Sequence, residues 1–149
     1  MTKRVLAIAS GGGHWHQLQL IRPAFDDHEV FYLVTLPGLA EESGVSRAAV
    51  IPDCNRHRPL AAVHSTVSVL WHVLRYRPHV VITTGALPGL IGLVFGRMIG
   101  ARTIWVDSLA NAEKLSMSGD MARRVSHLCL TQWEHVAERT GAEYAGSVL

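Results

Sequence analysis

The sequence has little charge, few cysteines and no basic cluster, and each shortage excludes a class of protein. Only 17% of the 149 residues are charged and 48% are hydrophobic, a balance typical of folded rather than disordered chains. The net charge of +2 includes no run of Lys or Arg, so we expect no nucleic-acid partner. Two cysteines, Cys54 and Cys129, are too few for a disulfide framework or a zinc site and suit a reducing cytosol.

Long apolar segments are also missing. The apolar run near the first residue ends at three glycines, which makes it too short for a signal peptide or a membrane anchor. The longest stretch without Asp, Glu, Lys or Arg spans residues 78–96, but Pro88 and four glycines interrupt it. We interpret this stretch as a strand, a loop and a buried helix, and we expect any membrane contact to be peripheral.

Strand-like and helix-like segments alternate along the chain. Strands are predicted at Arg4–Ala9, Glu29–Thr35, Ala48–Pro52, His79–Thr83, Arg102–Val106 and His127–Thr131. Helices are predicted at His14–Ala24, Pro59–Arg77, Leu87–Gly100, Gly119–Ser126 and Trp133–Arg139. This alternation and the chain length predict one α/β domain over residues 1–149, with a doubly wound parallel sheet of the Rossmann-like type.

The turn after the first strand is rich in glycine. It consists of Ser10, Gly11, Gly12, Gly13 and His14. In doubly wound sheets, ligands bind beyond the carboxyl ends of the strands, and glycines let a ligand approach the backbone closely. Free N–H groups at the helix start favour an anion or a polar oxygen, and a neutral His14 could accept a proton. The alternative is a tight turn without a ligand, in which His14 caps the helix or packs locally.

This turn matches neither of two common nucleotide-binding motifs. A dinucleotide fingerprint needs a glycine where His16 stands and an acidic residue at the end of the second strand, where Thr35 stands. The Gly-Lys-Ser/Thr of a Walker loop is absent as well. The sequence therefore predicts no bound cofactor.

Two further loops follow predicted strands at the same edge. Asp107 directly follows the fifth strand and could orient a histidine, accept a substrate hydroxyl or act as a base; the alternative is a helix cap or an Asx turn. Thr84 and Gly85 follow the fourth strand, where small residues leave space either for a ligand or for close packing of helix on strand. Ser116 and Ser118, just before Gly119, are interpreted as caps and turn formers.

Four motifs in this order resemble a known family. They are Ser-Gly-Gly-Gly-His at residues 10–14, Thr-Thr-Gly at 83–85, Val-Asp-Ser at 106–108 with Glu-Lys-Leu-Ser-Met-Ser-Gly at 113–119, and the closing segments 128–134 and 144–149. They resemble the PssD/EpsE-type polysaccharide biosynthesis proteins and their eukaryotic relative, asparagine-linked glycosylation protein fourteen. The resemblance covers nearly the whole chain.

The resemblance implies the N-terminal, acceptor-side half of a GT-B glycosyltransferase similar to MurG, an inverting and metal-independent enzyme. The nucleotide-sugar-binding half is a separate polypeptide in this family. The present chain is expected to recruit that partner to the cytoplasmic side of the inner membrane and to help bind a lipid-linked acceptor. Together the two chains would transfer a sugar from a UDP-sugar to a polyprenyl-diphosphate-linked saccharide in exopolysaccharide or oligosaccharide biosynthesis.

The candidate site residues follow from the positions of the motifs at the ends of predicted strands and from the resemblance. We expect His14 and Asp107 to be catalytic, although many relatives carry a glutamate at the position of Asp107. The expected substrate-binding residues are Ser10, Gly11, Gly12, Gly13, Thr84, Gly85, Ser108 and Glu113. Trp133 and Tyr144 are the candidate partner-facing residues, and no metal is expected.

Two other functions remain open from the sequence. The chain could be a non-catalytic membrane adaptor that activates a partner glycosyltransferase, or a stand-alone protein that binds a nucleotide sugar through the glycine turn. For the membrane contact we consider the helix Pro59–Arg77, whose apolar stripe comprises Leu60, Val63, Val67, Leu70, Trp71 and Leu74, and the helix Leu87–Gly100. Arginines near both helices suit anionic lipid; the alternative is that both helices belong to the core.

Overall fold

The computed structural model describes residues 1–55 and 57–148 as a sheet with helices on its two faces. The strands are β1 (Arg4–Ala9), β2 (Glu29–Val34), β3 (Ala48–Val50), β4 (Val80–Gly85), β5 (Arg102–Val106), β6 (Leu128–Thr131) and β7 (Glu143–Tyr144). The helices are α1 (Gly13–Ile21), α2 (Leu39–Glu42), α3 (Pro59–Tyr76), α4 (Leu87–Met98), α5 (Met117–Val125) and α6 (Glu134–Thr140). A 3₁₀ turn, Arg22–Ala24, continues α1.

The sheet is parallel throughout, with the strand order β3-β2-β1-β4-β5-β6-β7. This order confirms the predicted doubly wound, Rossmann-like fold. The order reverses between β1 and β4, and this switch point opens a crevice at the carboxyl ends of these two strands. The glycine turn after β1 and the pair Thr84–Gly85, which the structure places at the end of β4 rather than in the loop after it, are therefore neighbours.

The two faces of the sheet are covered unequally. Helices α3 to α6 lie on one face and bury the larger core, in which Trp105 is only 1% exposed. On the other face, α1 and α2 lie over β1, β2 and β4. Ile104, Leu128 and Leu130 on that second face of β5 and β6 stay partly exposed. A parallel sheet normally has both faces covered, so this part of the sheet surface is unusually open.

Helices α3 and α4 differ in how they use their apolar residues. Helix α4 is pressed against the sheet, and Gly92 and Gly96 leave no room for a Cβ beside Ile8 and Val81. Helix α3 buries Val69 and Val73, whereas most of the stripe predicted from its sequence faces outward and is exposed, with only Leu70 partly buried. Within residues 1–55 and 57–148, no helix is long and apolar enough to cross a membrane.

Most element boundaries agree with the sequence predictions, with a few physical exceptions. The helix predicted from Gly119 begins at Met117, because the Ser116 side chain accepts a hydrogen bond from the Gly119 N–H and caps it. The predictions missed α2 and β7, which are only four and two residues long. Elements this short carry no recognisable periodicity.

Candidate active site at the switch point

The glycine turn leads from buried β1 into α1 without a side-chain cap. Gly12 has φ +72° and precedes the first residue of α1. Gly11 donates its N–H to Oγ1 of Thr35 at 3.0 Å, and the side chain of Leu36 leaves no room for a Cβ at Gly11. Gly12 and Gly13 are exposed, so the N–H groups of the first turn of α1 face solvent and can receive an anion or a polar oxygen.

Two hydrogen bonds join His14 to the end of β4. The Oγ1 hydroxyl of Thr84, a residue only 1% exposed, donates to the main-chain carbonyl of His14 at 2.6 Å. In return, Nδ1 of His14 lies 2.8 Å from the main-chain carbonyl of Thr84. The Ser10 N–H also donates to the Gly85 carbonyl at 3.3 Å. The structure thus brings together Ser10, His14, Thr84 and Gly85, four of the predicted site residues.

These contacts define the tautomer of His14. A carbonyl oxygen only accepts, so Nδ1 must carry the proton in the bond to Thr84. In the neutral ring, Nε2 is then the unprotonated acceptor. His14 is partly exposed, and among the described residues Nε2 has no hydrogen-bond partner. The ring is therefore held by one nitrogen while the other is free to take a proton from a ligand.

Gly85 makes room for this ring. Its φ is +123°, and a Cβ there would lie 2.7 Å from both Cε1 and Nδ1 of His14. A side chain at this position would displace the imidazole as well as strain the backbone. The Thr-Thr-Gly motif therefore has a local explanation, because Thr84 anchors His14 and Gly85 leaves space for it.

Asp107 is buried within its own loop rather than open to the crevice. Its carboxylate belongs to a residue that is 1% exposed. Oδ1 accepts from Trp105 Nε1 at 3.0 Å and from Ser116 Oγ at 2.6 Å, and Oδ2 accepts from Asn111 Nδ2 at 3.1 Å and from the Ser116 N–H at 3.0 Å. Gly119 packs so closely on Oδ1 that a Cβ there would overlap it. Four donors to one carboxylate fix the path of the loop between β5 and α5.

Burial also sets the pKa of the neighbouring Cys129 thiol. Burial, and secondarily the Asp107 carboxylate, raises the pKa of Cys129 to about 12. Burial likewise raises the pKa of Cys54. Because only a thiolate is an effective nucleophile, neither cysteine is a candidate for covalent chemistry.

A network around Gln17 joins the loops of this edge, and sequence reasoning missed it. Gln17 Nε2 donates to Ser108 Oγ at 3.1 Å, and its Oε1 accepts from the Leu109 N–H at 3.0 Å. Gln132 Nε2 donates to the same Oε1 at 2.6 Å, while Gln132 Oε1 accepts from the Val148 N–H at 2.9 Å. Gln17 lies one helical turn after Gly13 on α1, and this spacing is the feature of the sequence that could have identified it as a site residue.

Among the described residues, the other predicted side chains make no hydrogen bond to His14. Ser108 is buried and serves the Gln17 network, and Glu113 is exposed. Trp133 is partly buried, with its indole N–H donating to the Leu109 carbonyl at 2.8 Å. Tyr144 is 45% exposed on β7, the edge strand of the sheet. Among the described residues, His14 and Asp107 have separate sets of hydrogen-bond partners.

An open cavity of about 500 Å³ lies at the same edge of the sheet. Its lining is mostly apolar and comprises Cys54, Asn55, His57, Ala86, Leu87, Met117, Ser118 and Met121. Its lining residue Ala86 directly follows Gly85, the glycine that packs against the His14 ring. In the part of the chain that the structure describes, no group of three or more His, Cys, Asp or Glu side chains could hold a metal ion.

Several solved structures share this fold. MurG of Acinetobacter baumannii aligns with a TM-score of 0.71 and 15% identity over 87% of this chain and 41% of the MurG chain. UDP-N-acetylglucosamine 2-epimerase of Rickettsia bellii aligns with a TM-score of 0.75 and 13% identity over 99% of this chain and 45% of that chain. The epimerase of Methanocaldococcus jannaschii, in complex with UDP-GlcNAc and UDP, aligns with a TM-score of 0.70 and 13% identity over 96% of this chain and 46% of its own.

The chain therefore spans less than half the length of these proteins. No protein of curated function matches the sequence. Residues 41–148, most of the chain, match the family model described as oligosaccharide biosynthesis protein Alg14 like. The protein is therefore a member of the Alg14-like family of oligosaccharide biosynthesis proteins, and its fold is that of one half of a MurG-like GT-B glycosyltransferase.

Proposed function

We propose that this chain is the acceptor-side subunit of a two-component, inverting glycosyltransferase that moves a sugar from a UDP-sugar to a lipid-linked saccharide. The observation that carries the proposal is the His14 geometry. Nδ1 is held by the Thr84 carbonyl, and Nε2 is free at the switch-point crevice. In this proposal residues 1–149 form a single acceptor-side domain.

His14 would act as the base. As the acceptor hydroxyl oxygen attacks the anomeric carbon, Nε2 takes the hydroxyl proton; the new C–O bond forms while the bond from that carbon to the diphosphate breaks, and UDP leaves. The Thr84 carbonyl stabilises the resulting imidazolium through Nδ1–H. The exposed N–H groups around Gly12 and Gly13 are suited to the diphosphate of the acceptor.

Asp107 would act on the site indirectly. Its four hydrogen bonds hold the loop that contains Ser108, and Ser108 is linked to α1 through Gln17. We therefore propose Asp107 as a positioning residue, with Glu113 as the carboxylate of this loop that a sugar hydroxyl can reach.

A second chain would complete the enzyme. The chain is less than half the length of the structures it resembles and lacks both nucleotide motifs sought in the glycine turn. The open face of β5 and β6 borders a cavity of about 310 Å³, which the C-terminal segment 145–148 also lines. We propose that the nucleotide-sugar-binding half contacts this face and the adjacent edge strand with Tyr144, while Trp133 supports the loop behind it.

The experiment is sugar transfer by the reconstituted pair. The chain is co-expressed with the candidate half-domain encoded in the neighbouring reading frame and supplied with labelled UDP-GlcNAc and a polyprenyl-diphosphate saccharide. We expect product from the pair and none from either chain alone. Product from the partner alone at the full rate would show that this chain takes no part in the chemistry and would contradict the proposal. Tight binding of UDP-GlcNAc to the isolated chain would favour a stand-alone nucleotide-sugar-binding protein.

A further inference from the structure

The hydroxyl of Ser108 has two hydrogen-bond donors beside it but no acceptor. Ser108 follows β5 at the carboxyl edge of the sheet and is only 8% exposed. Its Oγ accepts from Gln17 Nε2 at 3.1 Å and from the main-chain N–H of Ala110 at 3.2 Å. Among the described residues, no group accepts the hydroxyl hydrogen of Ser108. Leaving a buried donor unpaired costs free energy, so this hydrogen marks a place for a bound group.

The orientation of the Gln17 amide follows from groups that can only donate. One end of the amide faces the main-chain N–H of Leu109 at 3.0 Å, so that end must be the oxygen. Gln132 Nε2 donates to the same oxygen at 2.6 Å, and the Val148 N–H at Gln132 Oε1 fixes the orientation of that second amide. The end of Gln17 that faces Ser108 is therefore the nitrogen, which donates and never accepts.

This arrangement leaves the Ser108 hydroxyl a single role toward a ligand. A hydroxyl oxygen has two lone pairs and one hydrogen. The Gln17 amide and the Ala110 N–H use both lone pairs, so the hydrogen must point away from these two groups. A group bound beside Ser108 therefore meets a hydrogen-bond donor. Without the donor on Gln17 the hydroxyl could rotate and present a lone pair instead.

The same amide places the Ser108 hydroxyl beside the glycine turn. Gln17 Nε2 lies 4.0 Å from the point where a Cβ of Gly13 would stand. Gly12 and Gly13 are exposed, and the N–H groups of the first turn of α1 favour an anion or a polar oxygen. Among the described residues, no side chain caps this end of the nine-residue helix. Main-chain donors of α1 and the side-chain donor of Ser108 therefore lie near one another.

We propose that Gln17 is a positioning residue, which orients the Ser108 hydroxyl as a hydrogen-bond donor to a phosphoryl oxygen held at the glycine turn. A phosphoryl oxygen only accepts, and hydrogen bonds to a charged oxygen are stronger than those between neutral groups. The assignment of this oxygen to the diphosphate of the lipid-linked acceptor rests on the proposed function; the hydrogen-bond geometry does not.

The proposal also gives a reason for glutamine at position 17. One side chain must accept from the Leu109 N–H and from Gln132 while donating to Ser108. An amide can do both, whereas a carboxylate can only accept.

Q17E separates the orientation of Ser108 from the attachment of α1. The new carboxylate has nearly the same shape as the amide and still accepts from the Leu109 N–H and from Gln132 Nε2. It cannot donate to Ser108, so the Ser108 hydroxyl turns and donates to the carboxylate. A phosphoryl oxygen then faces a lone pair where it had faced a hydrogen. S108A removes the hydroxyl altogether.

Binding of inorganic pyrophosphate to the chain alone measures the effect, with the main-chain ¹H–¹⁵N NMR signals of Gly12 and Gly13 as the readout. In the wild type we expect pyrophosphate to shift both signals. S108A and Q17E should each weaken binding at least about tenfold, the contribution of one hydrogen bond to a charged group. Q17E combined with S108A should bind within about twofold of S108A alone, because Q17E acts through the hydroxyl.

Q19E is the matched control for the introduced charge. It makes the same substitution on the same helix, at a side chain whose Nε2 has no hydrogen-bond partner among the described residues. We expect Q19E to bind pyrophosphate within about twofold of the wild type. Circular dichroism verifies that each variant is folded.

The reconstituted pair distinguishes the two sources of a phosphoryl oxygen. Q17E should raise KM for the lipid-linked acceptor about tenfold and leave KM for UDP-GlcNAc unchanged. The reverse pattern would overturn the assignment to the acceptor.

Three results with the chain alone would overturn the role of Gln17. The first is the absence of any pyrophosphate-induced shift at Gly12 and Gly13 in the wild type. The second is wild-type binding by S108A or Q17E, which would mean that the Ser108 hydrogen meets water only. The third is an equal effect of Q17E with and without the Ser108 hydroxyl, which would mean that the new charge repels pyrophosphate directly. Since these binding measurements use no sugar donor and no partner chain, failure of sugar transfer and failure of this proposal are separate outcomes.

Discussion

Replacing Gly85 with alanine tests the packing that holds His14. A Cβ at Gly85 would lie 2.7 Å from two atoms of the imidazole, so the ring must move away from the Thr84 carbonyl. A non-glycine residue at φ +123° costs about 1–3 kcal/mol in backbone strain. The lost hydrogen bond adds about 1 kcal/mol. We expect G85A to lower the free energy of unfolding by about 2–4 kcal/mol.

Two other glycines of the site provide graded controls. Gly12 has φ +72° but open space around its missing Cβ, so G12A carries only the backbone strain, about 1–3 kcal/mol. At Gly13 the nearest atom to a new Cβ is Gln17 Nε2 at 4.0 Å, and G13A should be neutral or stabilise by up to about 1 kcal/mol. The expected order of stability is G13A, then G12A, then G85A.

Denaturant unfolding measures this order, and imidazole ¹⁵N NMR reports the state of His14. In the wild type, Nδ1 should give the signal of a protonated nitrogen and Nε2 that of an unprotonated one. G85A should lose this asymmetry, whereas G13A should retain it. Equal stability of G85A and G13A, or an unchanged His14 signal in G85A, would refute the proposed role of Gly85.

Two further predictions concern residues outside the crevice. D107N turns an amide N–H₂ toward hydrogen-bond donors, so it should lower the free energy of chemical unfolding by about 2–3 kcal/mol. E113Q, at an exposed position, should change this free energy by less than about 0.5 kcal/mol. Equal effects of the two substitutions would contradict the role of Asp107 in holding the loop. Partial desolvation of the ring, together with the positive charges of Arg97 and Arg102, lowers the pKa of His127, an otherwise exposed residue whose Nδ1 accepts the Thr103 N–H. The unfolded chain then binds this proton more readily, so stability is lost as pH falls below about 6.5. H127N keeps an acceptor without titrating and should lose less stability between pH 7 and pH 5, as measured by unfolding at each pH; identical pH profiles would count against this assignment.

The sequence revealed the fold because its signals were local. β1 and β5 have the bounds predicted from their apolar runs, and the alternation with helices predicted the parallel sheet. The face of α3 that packs on the sheet could not be predicted, because both faces of the helix are apolar and periodicity alone does not say which of them meets the sheet.

The location of the candidate site could be predicted from the sequence, but the contacts within it could not. Strand ends marked His14, Thr84 and Asp107, yet the burial of Asp107 depends on Ser116 and Asn111, which fold back onto it from later in the loop. The spacing from Gly13 could mark Gln17 on α1, but the partners of Gln17 in the segments after β5 and β6 come together only in the folded chain.

The central claim is that Nε2 of His14 takes the acceptor proton, and the most direct test is the transfer rate of the reconstituted pair with His14→Ala. His16→Ala is the matched control, since His16 is exposed on the same helix two residues later. We expect H14A to lower kcat at least about 100-fold, the usual contribution of a general base. H16A should stay within about twofold of the wild-type rate. An H14A pair that transfers sugar at a near-wild-type rate would contradict the account.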